Sequence, residues 1–278
     1  MGKFTLRIAR NSLFQFLISY KLLFVLITAC ILPFTTIYHL RMVMGWKDLT
    51  ILDGLQYEFG LYTSHYLILT PLCLFIVYDL VRPSLMDNFI FSRIRSRKHL
   101  FIGKLASCFL ASLTMVVILL ISACCIFPFN CRMVLKWGES FISEQYQQEV
   151  LLSNALIAYP PVTVFLYQSL MILFSFTATN WMLLLLMGVV KKKSLAMVFA
   201  VILDFGVLLF AKSSNSTFFL SPYANTFVVG VNPAKDGVWA FLRPIVYWVI
   251  LLFLLFILNG IVFSKKDFLY EDAPEEES

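Results

Sequence analysis

The sequence is poor in charge: only 14% of its 278 residues are Asp, Glu, Lys or Arg, against about a quarter in soluble domains. Apolar residues make up 60% of the chain. A membrane-spanning helix needs about 20 mainly apolar residues, so a chain of this length holds roughly six spans and leaves no room for a large soluble catalytic domain. The sequence therefore predicts a multi-pass membrane protein and excludes a cytosolic enzyme with a membrane anchor.

Sequence motifs of nucleotide, metal and nucleophile chemistry are also missing. Gly103 and Lys104 lack the upstream glycine and the following hydroxyl of a P-loop, so the chain cannot bind ATP through that motif. The histidines, His39, His65 and His99, are too far apart for a local metal site. No G-x-S-x-G elbow occurs, and the six cysteines show no zinc-site or disulfide spacing. We expect no catalytic residue, metal or cofactor on this chain.

Six apolar runs are long enough to cross a bilayer. They cover residues 22–40, 60–81, 105–127, 162–190, 194–211 and 241–263. We interpret residues 1–263 as a single all-α transmembrane domain and residues 264–278 as an acidic tail on the cytoplasmic side. The fourth run gives about 43 Å of helix against a hydrocarbon core of about 30 Å, so it must tilt, kink or protrude.

The distribution of basic residues predicts the orientation. With the N-terminus inside, the cytoplasmic segments hold 15 of the 22 Lys and Arg residues, and the outer segments hold seven, offset by seven acids. An excess of Lys and Arg is typical of cytoplasmic loops, so both termini are predicted to face the cytoplasm. The net charge of +6 is thereby explained as a topology signal, and nucleic acid is not a predicted partner.

Four segments fall outside the spans. Residues 3–19 alternate basic and apolar residues, the pattern of a helix lying on the membrane surface. Residues 130–161 contain a stretch that predicts a surface helix on the outer side. Residues 212–240 fit either a loop or a short re-entrant piece. The acidic tail lacks apolar residues towards its end, so we expect it to be disordered.

The most informative segment lies between the second and third predicted spans, at residues 82–104. With helical spacing, five of its apolar residues share one side of a helix. They are Leu85, Met86, Phe89, Ile90 and Ile94. A basic cluster accompanies them, with Arg93, Arg95 and Arg97. Two interpretations stay open: an interfacial helix whose basic residues contact anionic lipid, or a helix that docks on a cytoplasmic partner.

Here the chain resembles a known family. The basic N-terminal interfacial helix, the six spans, the segment SRIRSRKHLFIGKL and the ending VFSKKDFLYED look like the permease subunit of ABC transporters of the type-2 exporter fold. The resemblance covers nearly the whole chain. It rests on this architecture together with Ser96, Arg97, Gly103 and Lys104.

The resemblance implies the partners. In that family the segment between spans two and three is a coupling helix that docks in a groove of a separate ATPase subunit, so Leu85, Met86, Phe89 and Ile90 would form the docking face. The partner ATPase would bind ATP and magnesium. A second permease subunit would complete the transporter within the membrane lipids. The family's re-entrant helices before the last span would correspond to part of residues 212–240.

The substrate is inferred by analogy. The apolar spans of a chain with 28 Phe residues favour a hydrophobic or amphipathic cargo. Small members of the family export peptides such as bacteriocins, so we expect peptide export or self-immunity, by alternating access, across a bacterial plasma membrane. Lipid, glycolipid or drug export is the alternative within the class. Outside it, the chain would be a non-transporting membrane scaffold, and the sequence offers little for an intramembrane enzyme.

Two polar residues inside predicted spans are candidate site residues. A carboxylate near mid-membrane costs about 2.5 to 3.5 kcal/mol on insertion scales, so Asp204 should face protein or water and not lipid. Asn180 lies ten residues before Val190, and Asp204 ten residues after Ser194. Both therefore reach a depth of about 15 Å. We expect Asn180 and Asp204 to hydrogen-bond; a protonated, packed Asp204 or a bond to a partner subunit is the alternative.

Overall fold

The structure is a computed structural model, and it describes residues 10–11, 14, 17–81, 97–148, 156–190, 192–211, 221–228 and 231–265. Within these ranges the chain is helical and contains no β-strand; a single backbone bridge pairs Thr50 with Arg132. Five of the described helices are long and apolar enough to cross a membrane. The predicted class, an all-α multi-pass membrane protein, is confirmed to that extent.

We number the helices in chain order, joining directly continuous turns. They are α1 (Tyr20–Val43), α2 (Ile51–Gly60), α3 (Tyr62–Val81), α4 (Arg97–Ile126), α5 (Glu139–Gln148), α6 (Pro161–Val189), α7 (Lys193–Ala211), α8 (Pro222–Thr226), α9 (Pro233–Asp236) and α10 (Trp239–Lys265). The five long apolar helices are α1, α3, α4, α6 and α10. Helix α7 coincides with the predicted fifth span; its crossing of the membrane stays a prediction, as does the orientation of the termini.

Most helix ends lie within three residues of the predicted span ends, but helix α4 begins well before the predicted third span. Helix α4 starts at Arg97, eight residues before the predicted Leu105. In the structure Lys104 is buried, and its Nζ donates to the carbonyl of Val81 at 3.2 Å. A carbonyl at the end of α3 thus accommodates the ammonium group within the bundle.

Helix α6 is the centre of the bundle. It packs against α2, α3, α4, α7, α8 and α10. Pro160 and Pro161 start it, where a proline lacks no needed donor. Its interior contains no proline, so the 29 residues form one continuous helix. Because nearly every other long helix touches α6, polar side chains along it can bridge several helices at different depths.

Two short helices lie beside the spans. Helix α2 is started by Thr50, whose hydroxyl accepts from the Asp53 N–H while the Asp53 carboxylate accepts from the Thr50 N–H, a capping box. The Asp53 carboxylate also accepts from the Gly138 N–H at 3.0 Å, which ties α2 to the segment before α5. Helix α8 is buried in the bundle. Helix α5 covers the first part of the predicted outer helix, and residues 149–155 of that prediction lie outside the described residues.

Several predicted elements lie outside the described residues. They are most of the interfacial helix at 3–19, the segment 82–96 and the tail from residue 266. Arg97 is the first residue of α4. We name the end of the bundle that holds Tyr62, Phe129 and Pro161 the outer end, and the end that holds Val81 and Arg97 the inner end, following the predicted topology.

Candidate functional site

A line of polar side chains follows α6 and links it to its neighbours at three depths. We call it the polar seam; its α6 members are Gln168, Ser175 and Asn180, all buried. Buried polar groups are stable in a membrane protein only when hydrogen-bonded. Each seam residue bonds to a different part of the bundle.

The outermost seam residue holds the segment around α8. The Gln168 amide donates to the Thr226 carbonyl at 3.0 Å and accepts from the Val228 N–H at 2.9 Å. From the opposite side, Trp248 of α10 donates to the Asn225 carbonyl at 2.8 Å. Gln168 lies seven residues, or about 10 Å, from the start of α6. Residues 225–228 therefore lie inside the bundle, beside the outer part of α6.

The middle of the seam is a histidine packed among aromatic rings. His65 Nε2 lies 3.2 Å from Ser175 Oγ, and the imidazole stacks on Phe176 at 5.0 Å between ring centroids. The ring edge of Phe227 meets it from the α8 segment at 5.4 Å. His65 is 1% exposed and its Nδ1 has no hydrogen-bond partner. The Ser175 hydroxyl and the rings of Phe176 and Phe227 therefore fix the imidazole in a packed cluster inside the bundle.

The innermost seam residue bridges three helices. Asn180 Nδ2 donates to Ser112 Oγ of α4 at 2.8 Å and lies 3.3 Å from Cys73 Sγ of α3. The predicted hydrogen bond between Asn180 and Asp204 is not formed, because Ser112 and Cys73 already engage the amide. Asp204 is buried at 5% exposure, as expected, and its Oδ2 has no hydrogen-bond partner.

The outer end holds two buried carboxylates with different surroundings. Burial raises the pKa of Asp53 to about 6, while the Thr50 and Gly138 N–H groups act in the opposite direction. Burial raises the pKa of Glu58 to about 8. Both carboxylate oxygens of Glu58 lack a hydrogen-bond partner, as do both side-chain polar atoms of Gln56. The Asp53 carboxylate therefore caps α2. The buried Glu58 carboxyl, in contrast, has no hydrogen bond that offsets its loss of hydration.

The inner end is tied by lysines. Lys21 of α1 donates to the Phe75 carbonyl at 2.9 Å, pairs with the Asp79 carboxylate at 2.7 Å and lies 4.2 Å from the centre of the Phe75 ring. Lys104 of α4 reaches the Val81 carbonyl. The last turns of α3, directly before the segment 82–96, are therefore fastened to α1 and α4.

The predicted coupling residues follow the end of α3 in the sequence. Leu85, Met86, Phe89, Ile90, Ile94, Arg93 and Arg95 belong to the segment outside the described residues, while Arg97 opens α4. The structure describes the chain up to Val81, the end of α3, and again from Arg97, the start of α4. No group of three His, Cys, Asp or Glu residues suited to a metal occurs among the described residues.

Sequence reasoning missed α2, the ring cluster around His65 and the lysine ties. A signal for α2 existed: Thr50 and Asp53 have the spacing of a capping box before an apolar run. The lysine ties had no such signal, since two of their acceptors are the backbone carbonyls of Phe75 and Val81, and the third, Asp79, is far from Lys21 in the sequence. Comparison with family models and with curated proteins found no match for this chain.

Proposed function

We propose that the chain is the membrane-spanning subunit of an ATP-driven exporter, an ABC permease of the type-2 exporter kind. ATP binding to a separate ATPase would move the segment 82–96, and the spans would rearrange between inward-open and outward-open states. Two permease subunits and two ATPases would make the transporter in the cell membrane. The cargo would be a hydrophobic or amphipathic peptide, with a lipid, glycolipid or drug as alternative.

The observation that supports the proposal is the buried segment 224–228 before the last apolar helix. Gln168 and Trp248 hold residues 225–228 from α6 and α10. Trp248 lies nine residues into α10, so the segment reaches about 13 Å along it. An exporter of this kind needs a plug between its pathway and the outside, and a short buried helix on the outer side supplies one. A simple scaffold has no need to bury polar backbone there.

The inner end supports the same proposal. Movement of residues 82–96 can reach the spans only through the ends of α3 and α4. Lys21 and Lys104 join the end of α3 to α1 and α4. A movement of the segment would therefore be transmitted to α1, α3 and α4 together. It would not be lost through unwinding at the end of one helix.

The test begins with the partner. The full chain would be purified from its native membrane with a tag at the end of the tail, and co-purifying subunits identified by mass spectrometry. We expect a P-loop ATPase in stoichiometric amount and ATP hydrolysis by the complex. Phe89→Asp, which puts a charge on the predicted docking face, should lower recovery of the ATPase at least tenfold, because buried aromatic anchors dominate interface energies.

Asn88→Asp is the matched control, because it adds the same charge on the other side of the predicted helix. It should leave recovery of the ATPase unchanged at equal membrane levels. Full recovery with Phe89→Asp would contradict docking through this face. Absence of any ATPase from the intact wild-type complex would favour the scaffold interpretation instead.

A further inference from the structure

A patch of exposed side chains lies at the outer end of the bundle, where α1 and α4 end. We call it the outer rim and define it as residues 41–48 and 129–136. Its large apolar side chains are between 64% and 86% exposed: Met42, Val43, Phe129, Met133 and Leu135. Apolar side chains grouped in this way on a surface mark a contact with an apolar partner.

Hydrogen bonds join the two stretches of the outer rim. The Arg41 guanidinium donates to the Asn130 carbonyl. The Arg132 N–H donates to the Leu49 carbonyl at 2.8 Å, and the Arg132 carbonyl accepts from the Ile51 N–H at 3.2 Å. The exposed apolar side chains of both stretches therefore belong to one connected surface.

The interior next to the outer rim is filled by aromatic rings. Trp46 meets the ring of Phe141 edge to face at 5.7 Å between ring centroids, and Trp137 stacks on the same ring at 4.7 Å. All three side chains are buried. The exposed apolar side chains thus lie over a packed interior, so only a partner from outside can cover them.

The outer rim is also basic. Its two stretches hold four basic residues and one acid, a net charge of +3 (4 − 1): Arg41, Lys47, Arg132, Lys136 and Asp48. Arg132 pairs with Asp48 at 2.9 Å. Within the described part of the chain, no carboxylate lies at ion-pair distance from Arg41, Lys47 or Lys136. Three exposed positive charges are therefore open to an anion.

The length of α1 places the outer rim at the level of the lipid headgroups. The helix has 24 residues and is about 36 Å long, against a hydrocarbon core of about 30 Å. Lys21, near its start, bonds to the Phe75 carbonyl at the inner end. The last turn of α1, at residues 41–43, therefore reaches the opposite interface, where basic side chains can meet phosphates while apolar ones enter the acyl region.

We propose that the outer rim binds anionic phospholipid in the leaflet that it contacts. Arg41, Lys47 and Lys136 meet the lipid phosphates, and the apolar side chains pack against the acyl chains. A second copy of the chain fits less well, because two rims would bring like charges together. A soluble acidic partner would leave the apolar side chains in water. This inference goes beyond the exporter function and needs neither an ATPase nor a cargo.

The test reads the lipid composition at the outer rim itself, because basic residues at the inner end also attract anionic lipid. The photo-crosslinking amino acid p-benzoylphenylalanine would replace Phe129, and the full chain would be reconstituted without an ATPase. The bilayers would contain equal amounts of phosphatidylglycerol and phosphatidylcholine with the same acyl chains. Mass spectrometry should find at least three times more phosphatidylglycerol than phosphatidylcholine adducts. The same crosslinker at Phe253, an exposed position in the middle of α10, should show no preference.

Charge variants separate recognition of the headgroup from simple apolar contact. Lys47→Gln combined with Lys136→Gln should bring the adduct ratio at residue 129 close to one. Lys235→Gln is the matched control, because it removes an exposed lysine of α9 outside the outer rim, and it should leave the ratio unchanged. All of these side chains are exposed, so the variants should fold. The crosslinker at Met133 should give the same result as at Phe129.

Three results would overturn the proposal. The first is an equal yield of the two lipid adducts in the otherwise unchanged protein, or a ratio that the paired lysine substitutions leave unchanged. The second is crosslinking to a second copy of the chain in place of lipid. The third is a ratio that soluble glycerol phosphate abolishes, which would show that a free anion occupies the outer rim. None of these readouts depends on transport, so they leave the exporter proposal to its own test.

Discussion

The two ends of the bundle are held together by different chemistry. At the outer end, short helices are buried and fastened by bonds within the protein, such as Gly138 to Asp53 and Gln168 to Val228. At the inner end, lysines reach across to α3, and the main ion pair involves Asp79, whose side chain is 55% exposed. Buried bonds are expensive to break, while half-exposed ion pairs are weak. The outer end is therefore built as the stiffer end, and the inner end, beside the segment 82–96, as the one that can move.

The largest expected effect concerns Glu58, the outer-end carboxylate without a partner. Its pKa is raised from 4.5 to about 8, so the unfolded chain loses the proton first as pH rises. The free energy of unfolding is therefore not reduced by Glu58 below pH 4.5. It decreases between that pH and about pH 8, where the folded protein must also lose the proton. Glu58→Gln should remove that loss, a gain on the order of 3 kcal/mol at pH 8 relative to pH 5.

Thermal unfolding in detergent at pH 5 and pH 8 checks this. Asp53→Asn is the control on the same helix. Because the pKa of Asp53 rises only to about 6, its share of the pH dependence should end near pH 6. A wild-type protein whose stability rises between pH 6 and pH 8 would contradict the assignment of Glu58 as an uncompensated group.

Gly138 provides the next largest effect. A Cβ at this position would lie 2.3 Å from the Asp48 carbonyl oxygen and 2.5 Å from Asp53 Oδ2. Neither can move without loosening the cap of α2, so Gly138→Ala should destabilise the protein by about 2 to 3 kcal/mol. Gly206→Ala in α7 is the control, because a Cβ there meets nothing within 4 Å. Similar unfolding temperatures for the two variants would show that the outer end is not tightly packed.

Gln168 tests whether the segment 225–228 is held in the bundle by α6. Gln168→Leu should leave the Thr226 carbonyl and the Val228 N–H buried without partners, at a cost of about 2 kcal/mol. Leu166→Ala, an exposed change two residues away, should cost much less. Limited proteolysis and cysteine accessibility at residues 221–228 would report the local change. Unchanged accessibility in Gln168→Leu would remove the main support for a held plug.

The sequence predicted the long helices well because each is an apolar run of membrane length. It did not indicate that helix α4 extends eight residues before the predicted third span or that Lys104 is buried, because the acceptor of Lys104, the Val81 carbonyl, lies on another helix. It also expected Asn180 to bond with Asp204 from equal depth alone. Depth does not specify which face of a helix a residue occupies, and Asn180 turns towards Ser112 and Cys73. Pairings between distant helices depend on packing that periodicity does not encode.

The smallest expected effect is the coupling between Lys21 and Asp79 at the inner end. It tests the difference between the two ends most directly. A double-mutant cycle with Lys21→Met and Asp79→Asn should give a coupling energy below about 1 kcal/mol, because Asp79 is largely solvated. Lys21→Met alone should cost more than Asp79→Asn alone, since the Lys21 ammonium also bonds to the Phe75 carbonyl and lies over the Phe75 ring. Lys104→Met, which removes the bond to Val81, serves as the control for losing a lysine near the same helix end. Thermal unfolding of the four proteins of the cycle supplies the numbers. A coupling of 2 kcal/mol or more would mean that this ion pair is as costly to break as the buried bonds of the outer end, and the inner end would then be a rigid joint and not the movable one.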